Sequence, residues 1–136
     1  MNVQDHDFSK KFFNGGKYPV YNYSKLQEIK TDTTNWKIEK IPMFVDGFVT
    51  WTHFKITLKG GGRTEPYQTD ADIRLTLLEG SLWLLIMYKG SNGGDIIEAG
   101  DIVIIPNGST YTILNQSRHE NCVYTLDANT LLEIEG

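Results

Sequence analysis

The fold is decided by one stretch of the chain, Gly100-Asp-Ile-Val-Ile-Ile-Pro106-Asn-Gly108-Ser-Thr-Tyr111-Thr-Ile-Leu-Asn115. A Gly-Asp turn leads into an apolar run, Ile102 to Ile105, and Pro-Asn-Gly stops it. Pro presets φ and Gly tolerates positive φ, so the two residues together favour a tight turn. A second alternating run, Thr110 to Leu114, follows at once. The stretch therefore predicts two strands joined by a sharp corner.

Short strands at regular spacing extend this pattern from about residue 35 to residue 126. Between Asp72 and Glu79, apolar Ile73 and Leu75 alternate with polar residues, which is typical of a strand with one buried face. Asn92-Gly93, at the centre of the segment 89–94, is a strong hairpin signal. Because helical patterns are scarce, we predict an all-β fold, either one antiparallel barrel or a two-sheet roll.

The N-terminal region has a different pattern. Ser24-Lys-Leu-Gln27 fits a helix capping box and predicts a short helix from Lys25 to about Lys30. Phe8 and Phe12 have the spacing of one face of a helical turn, as in an arm that packs its aromatic rings on a body. We therefore expect residues 1–34 to form an N-terminal extension, an arm or short helix, and residues 35–136 to form the barrel.

Composition excludes several classes of protein. The chain has 136 residues, 40% hydrophobic, with a net charge of -4 and no clustered basic run. A single domain is expected, and nucleic acid is disfavoured as a partner because phosphate neutralisation needs clustered Lys and Arg. The longest apolar run is too short to cross a bilayer, so no membrane partner is expected. With no secretory signal pattern, an intracellular location is expected. Cys122 stands alone, which excludes an internal disulfide, and a small buried hydrophobe is the favoured interpretation.

One predicted strand is apolar on both faces. In Leu82-Trp83-Leu84-Leu85-Ile86-Met87, one parity fills a core and the other faces outward. A barrel strand that meets water should carry polar residues on its outer face. Either the N-terminal arm or a second subunit is expected to cover this outer face. We favour a homodimer with the arm as an added cover, which gives an interface built from Trp83, Leu85, Met87, Phe8 and Phe12.

The stretch from Gly100 to Asn115 resembles the second signature motif of the cupin superfamily: Gly, five residues, Pro, one, Gly, two, His, three, Asn. Leu77-Leu-Glu79-Gly80 resembles the end of the first motif. The resemblance implies a single cupin jelly-roll β-barrel. It also implies a changed site, because Tyr111 replaces the metal-binding His. Upstream of Gly80, the window from Glu65 to Arg74 holds no His, and Ile73 occupies the position of the Glu.

The vacant ligand positions predict that no metal and no other cofactor is bound there, because an oxygenase-type metal needs two His and a carboxylate at one point. Of the remaining histidines, His53 with Asp70 or Asp72 is the alternative metal site. A surface or partly buried His53 is favoured over it.

Within the superfamily, the pattern Gly108-x-x-Tyr111-x-Ile113-x-Asn115 is similar to that of the C-terminal cupin domain of the centromere protein C family. That resemblance implies homodimerisation through one barrel face, recruitment of partner proteins such as centromere loading or meiotic factors, and a nuclear location. Without it, a cytoplasmic location is expected. Ser109 departs from the Asn usual in that family, and the family's arginine-rich nucleosome-binding motif is absent from this chain.

Two functions of different class follow from these observations. The first is a non-catalytic homodimerising cupin domain that docks partner proteins, with a barrel interior filled by Ile73, Leu75, Tyr111 and Ile113. The second is a small metal-independent enzyme or binding protein of the isomerase, epimerase or cyclase type. It would act on a polar metabolite in an open barrel, with Tyr111, Arg74 and Glu65 as participants. We favour the first, because most positions that line the barrel are apolar.

Overall fold

The computed structural model describes the backbone of residues 27–29, 36–40, 44–45 and 50–130, and the side chains of residues 51–130. Within these residues every regular element is a β-strand, so the expected all-β class is confirmed. The strands are β1 (Gln27–Ile29), β2 (Trp36–Lys40), β3 (Phe44–Val45), β4 (Thr50–Leu58), β5 (Tyr67–Gln68), β6 (Ile73–Glu79), β7 (Ser81–Tyr88), β8 (Ser91–Glu98), β9 (Ile102–Ile105), β10 (Thr110–Asn115) and β11 (Cys122–Ala128).

The strands form two antiparallel sheets. The larger sheet has the order β1-β2-β4-β11-β6-β9, with β3 also paired to β4, and the smaller sheet has the order β5-β10-β7-β8. Strands adjacent in sequence cross from one sheet to the other at six places, β4 to β5, β5 to β6, β6 to β7, β8 to β9, β9 to β10 and β10 to β11. This arrangement is a jelly roll, in which two sheets enclose one core.

The short helix expected from Lys25 to about Lys30 is wrong. Residues Gln27–Ile29 are strand β1, which pairs with β2 in the register Gln27↔Lys40 and Ile29↔Ile38. The capping box favours a helix through local contacts alone. Pairing with β2 instead provides hydrogen-bond partners for the backbone groups of these residues, and this tertiary pairing overrides the local preference. Phe8 and Phe12 lie outside the described residues.

Alternation along each strand builds the core. Side chains of one parity point between the sheets, and those of the other parity point outward. On β4, for example, Phe54, Ile56 and Leu58 are buried, while His53 and Lys55 are only partly covered. The inward set from the other strands includes Ile73, Leu75, Leu77, Leu82, Leu84, Ile97, Ile105, Tyr111, Ile113, Tyr124 and Leu126.

The turn between β7 and β8 is at Lys89-Gly90, so the prediction of Asn92-Gly93 as its centre is wrong. Both turn residues have positive φ, 49° for Lys89 and 78° for Gly90, as a two-residue type I′ turn requires. The ladder runs from Tyr88↔Ser91 to Ser81↔Glu98. A turn at Asn92-Gly93 would leave only residues 94–98 to pair, so the longer ladder overrides the stronger dipeptide signal.

Asn115, the last residue of the sequence motif, fixes the end of β10 to two neighbouring segments. Its Nδ2 donates hydrogen bonds to the carbonyl oxygens of Leu58 and Lys59, both at 3.0 Å, and of Glu120 at 2.7 Å. Its Oδ1 accepts a hydrogen bond from the Ser117 backbone N–H at 2.9 Å. The amide thereby joins the end of β4 to the loop that enters β11, which explains its place in the motif by structure alone.

Gly90→Ala tests the observed turn. We expect it to lower the free energy of unfolding by roughly 1 kcal/mol, because an L residue is strained at positive φ even where a Cβ has open space. Gly93→Ala is the matched control: a Cβ there also meets nothing within 4 Å, and its φ is not positive. Urea denaturation of both variants is the measurement. A larger loss for Gly93→Ala than for Gly90→Ala would contradict this register.

Candidate functional site

The barrel interior around Tyr111 is closed by side chains. Tyr111 is 5% exposed, and its ring meets that of Tyr67 edge-on, with centroids 5.8 Å apart and planes at 71°. Burial raises the pKa of the Tyr111 hydroxyl above its ordinary value, and the neighbouring Tyr67 raises it further. Ile73, Leu75 and Ile113 are also fully buried. The position where the motif usually carries a His is therefore filled by a neutral aromatic ring in an apolar core.

These residues do not fit the metal that many cupins hold. Tyr67, Ile73 and Tyr111 supply two neutral phenols and no imidazole or carboxylate. Within residues 51–130 no three His, Cys, Asp or Glu side chains come close enough to bind one ion. We therefore derive no chemistry through a metal.

The three side chains considered for catalysis lie in different surroundings. Tyr111 points between the sheets. Arg74 has the opposite parity on β6 and lies on the outer face of the larger sheet, where its Nη2 is 3.6 Å from Asp127 Oδ2. Glu65 is exposed in the segment before β5. The structure does not bring these three groups together.

A polar cluster outside the barrel holds His53. Its Nδ1 is 2.5 Å from Oδ1 of Asp127, and the same carboxylate faces Arg74. The register His53↔Asp127↔Arg74 across β4, β11 and β6 places the three side chains in one row. Asp70 and Asp72, the carboxylates considered as partners of His53, lie elsewhere: Asp70 is exposed, and Asp72 accepts a hydrogen bond from the Asn107 N–H at 2.8 Å. Sequence reasoning missed Asp127 because only the pairing of β11 with β4 reveals it.

Cys122 is buried at the start of β11 and faces the core. Burial, partly offset by backbone hydrogen bonding, raises the pKa of its thiol to about 11. Since the thiolate is the nucleophile, Cys122 is poorly reactive near neutral pH.

The outer face of the smaller sheet carries four exposed large apolar side chains, and the larger sheet carries four more, Trp51, Leu78, Ile102 and Ile104. On β7, Trp83 is 44% exposed, Leu85 38% and Met87 55%, and Ile96 on β8 is 53% exposed. The cross-strand row Ile96–Trp83–Leu114 places three of the apolar residues side by side. We call this surface, the outward residues of β10, β7 and β8, the apolar face. Ile96 and Leu114 join it through pairing that the sequence pattern alone does not reveal.

A groove of about 450 Å³ lies in one half of the apolar face. It is lined by Pro66, Leu85, Ile86, Met87, Asn92, Gly93, Gly94, Thr110 and Thr112. Glycine at position 94 lets Trp83 and Leu85 close over the backbone, because an added Cβ would lie 2.7 Å from Trp83 Nε1 and from Leu85 Cδ2. The indole ring therefore lies over Gly94, beside the groove that Gly94 lines.

The free edge of β8 is partly blocked. Because Tyr88 and Ser91 flank a two-residue turn, the even-numbered residues of β8 direct their backbone groups away from β7. Of these, the Ile96 N–H donates to Asp95 Oδ1 at 3.0 Å, and the Glu98 N–H donates to Asp101 Oδ2 at 2.9 Å. Acidic side chains that occupy edge donors oppose strand addition along this edge.

A second, open pocket of about 570 Å³ lies at the mouth between β8 and β9. It is lined by Leu84, Ile86, Tyr88, Lys89, Ser91, Asn92, Gly93, Gly94, Asp95, Ile97 and Val103. Lys89 places its ammonium 5.2 Å from the centre of the Tyr88 ring at this mouth. None of Tyr111, Arg74 and Glu65 lines the pocket.

No protein-family model and no curated protein sequence matches the chain. Solved structures do. The Drosophila melanogaster CENP-C cupin domain matches with a TM-score of 0.67 at 14% identity, covering 79% of this chain and 77% of that one. The same protein bound to CAL1 matches equally well, over 82% of its chain. Tomato vicilin matches with a TM-score of 0.71 at 12% identity, over 83% of this chain and 33% of that one.

An oxalate oxidase also matches, with a TM-score of 0.63 at 16% identity, over 74% of this chain and 54% of that one. The chain therefore has the cupin fold, as its motifs predicted. At these identities the likenesses show the fold, and they include both an enzyme and a domain bound to a protein partner. Within the described residues no helix is long and apolar enough to cross a membrane.

Tyr124→Phe tests whether the interior is an apolar filling. The Tyr124 hydroxyl is buried without a hydrogen-bond partner among the described residues, so its removal should leave the free energy of unfolding unchanged or raise it by up to about 1 kcal/mol. Thr69→Val is the control, because the Thr69 hydroxyl is also buried but donates to the Ala71 carbonyl and accepts from the Ala71 N–H. That variant should lose about 1 kcal/mol or more. A comparable loss for Tyr124→Phe would indicate that its hydroxyl has a role in the interior.

Proposed function

We propose that this chain is a non-catalytic, homodimerising cupin-fold domain that docks partner proteins, of the CENP-C type. The observation that carries the proposal is the distribution of apolar side chains. The interior around Tyr111 is filled, and exposed apolar side chains lie outside, four of them together on the apolar face. Such a surface supports association with another protein rather than chemistry inside the barrel.

The apolar face is costly to expose. Trp83, Leu85, Met87 and Ile96 are each about half exposed, and full burial of a large apolar side chain contributes roughly 1.5–3 kcal/mol. The face spans about 26 Å along β7 and β8 and about 14 Å across its three strands.

A second copy of the chain is the favoured occupant. Among the outward residues of β10, β7 and β8, Glu98 at one end of β8 is the one with a charged side chain. Two copies can therefore meet across the centre of the face without like charges in contact. Asp95 and Asp101, which accept hydrogen bonds from edge N–H groups of β8, favour face-to-face packing of two copies over extension of the sheet at this edge.

The likeness to CENP-C supports the docking part of the proposal. One matched structure is CENP-C bound to CAL1, and the sequence pattern from Gly108 to Asn115 is similar to that of the same family. A nuclear location and protein partners of the centromere follow from this likeness as part of the proposal. In the dimer, each barrel would keep its larger sheet free for partner proteins.

The pocket at the mouth between β8 and β9 favours a second candidate, a metal-independent binding protein or enzyme for a small molecule. Its volume of about 570 Å³ lies in the range of ligand sites, and Lys89 and Asp95 supply charge at a lining that also holds Ser91 and Asn92. The docking function is preferred because none of the candidate catalytic residues lines the pocket.

Trp83→Asp and Leu85→Asp test the dimer. Each places a carboxylate in the proposed contact, and loss of a central anchor of about 2 kcal/mol or more should weaken association at least about thirty-fold. Light scattering coupled to size exclusion measures the mass. Ile104→Asp is the matched control, because Ile104 is 59% exposed on the outer face of the other sheet. This substitution should leave the dimer intact. If both variants keep the wild-type mass with the fold intact, the contact lies elsewhere. Stoichiometric iron, manganese or zinc in the purified protein would contradict the metal-free assignment.

A further inference from the structure

The free edge of β9 carries backbone hydrogen-bonding groups and apolar side chains that suit an added strand. We propose that an extended segment of a partner protein pairs with β9 along this edge, beside the mouth between β8 and β9. The segment is about five residues long, the length of an ordinary strand. It has apolar side chains at alternate positions and a basic residue at the end nearest Asp101. It belongs to the partner protein of the docking function proposed above, on which this assignment rests.

The direction of the β9 backbone groups follows from the pairing of this strand with β6, its neighbour in the larger sheet. The Leu77 N–H donates to the Asp101 carbonyl at 3.0 Å, so that carbonyl points towards β6. Because these directions alternate along a strand, the backbone groups of Val103 also point to β6, and those of Ile102 and Ile104 point away. Among the residues that the structure describes, no hydrogen bond uses these outward groups. Two donors and two acceptors are therefore open along the edge.

The edge of β9 lacks the protection found on β8. Carboxylates of Asp95 and Asp101 occupy two N–H groups on the β8 edge. The β9 sequence, Ile-Val-Ile-Ile, contains none of the charged residues or prolines that commonly protect an edge strand. Ile102 and Ile104, 62% and 59% exposed, have the largest exposed fractions of the large apolar side chains in residues 51–130. Open backbone groups beside exposed β-branched side chains are the features that strand addition uses.

The inward side of an added strand lies at the rim of the pocket between β8 and β9. Val103 lines this pocket, and the other apolar residues of the lining include Leu84, Ile86 and Ile97. Residues directly opposite each other on paired strands have Cβ atoms about 4.5–5.5 Å apart. The partner residue opposite Val103 therefore places its side chain at the pocket rim, where an apolar group extends the apolar part of the lining. The residues on either side of it point outward, beside Ile102 and Ile104.

Carboxylates near the start of β9 define the charge of the segment. Glu98 and Asp101 are both exposed, and the 2.9 Å hydrogen bond from the Glu98 N–H to Asp101 Oδ2 holds them together. Asp95 is also exposed and lines the pocket, whereas the cation of that lining, Lys89, lies at the other end of β8 in the hairpin turn. Complementary charge favours a partner and like charge disfavours it. A Lys or Arg beside the start of β9 is therefore favoured over an acidic residue.

A second copy of the chain is a poorer occupant of this edge. Its own β9 can pair with that of the first copy, but the side chains that then point inward are Val103 and Ile105. Both already pack in the core of their own barrel. Neither is available to the pocket of the other copy. A separate extended segment has no such commitment, so the edge suits a partner protein rather than self-association.

Selection of displayed peptides tests the proposal. A library of random peptides of about ten residues, long enough for one strand, is selected on the full chain and in parallel on Ile104→Pro and Ile104→Thr proteins. Proline removes the outward N–H at position 104 and is tolerated on edge strands, whereas Thr keeps that N–H and the β-branched shape.

We expect peptides with alternating apolar residues and a basic end to be enriched on the wild-type and Ile104→Thr proteins. The same peptides should bind Ile104→Pro protein at least about ten-fold more weakly, because an edge hydrogen bond is lost and the ring crowds the added strand. No enrichment on the wild-type protein, or equal binding to the Pro variant, would overturn strand addition at β9.

Backbone methylation of an enriched peptide is the second measurement, and it does not depend on the folding of a variant. One synthetic peptide carries N-methyl groups at its odd positions and a second at its even positions, so that only one of them loses the N–H groups that face β9. Calorimetric titration of wild-type protein should give affinities that differ at least about ten-fold. Equal affinities would contradict strand pairing. A chain that dimerises but enriches no peptide refutes the β9 site and leaves the proposed dimer standing, whereas a monomeric chain refutes the dimer itself.

Discussion

The pairing of β7 with β10 on one side and β8 on the other is the constraint on which the rest of the structure depends. Since successive side chains of a strand point to opposite faces, a slip of one residue would exchange the buried and exposed sets of β7. The observed register puts Leu82 and Leu84 in the core and Trp83, Leu85 and Met87 outside. The type I′ turn at Lys89-Gly90 holds that register from one end.

The interior of the barrel shows how a binding site can be replaced by packing. Tyr111 occupies the motif position of a metal-binding imidazole, and its ring packs edge-on against Tyr67 within an apolar core. Burial raises the pKa of both Tyr111 and Tyr124, which keeps these phenols neutral in the barrel. Aromatic rings of this size occupy the volume that an ion and its ligands would otherwise need. The outer surface of the barrel therefore remains available for binding.

The two outer faces differ in a way that supports different tasks. The larger sheet carries the polar row His53–Asp127–Arg74, in which the largely buried Asp127 carboxylate lies between the His53 imidazole and the Arg74 guanidinium. It also carries exposed apolar side chains, among them Leu78, Ile102 and Ile104. The smaller sheet presents a surface whose one charged side chain, Glu98, lies at the end of β8, and which combines the half-exposed indole ring of Trp83 with a groove. If the smaller sheet forms the dimer, as we propose, then the polar surface of each barrel stays on the outside of the assembly. A domain of this kind would bind two copies of a partner with fixed spacing.

The sequence by itself determined the fold class, because alternation of apolar residues and the Gly, Pro and Asn spacing of residues 100–115 are local signals with few alternative structures. It also determined that β7 is apolar on both faces, since that follows from composition alone. Tertiary structure decided the remaining features. Strand β1 replaces a locally favoured helix, and the turn at Lys89-Gly90 replaces a stronger dipeptide signal, because long ladders outweigh short-range preferences. The groove, the row Ile96–Trp83–Leu114 and the contact of His53 with Asp127 depend on which strands become neighbours, and that information lies in pairing between distant segments.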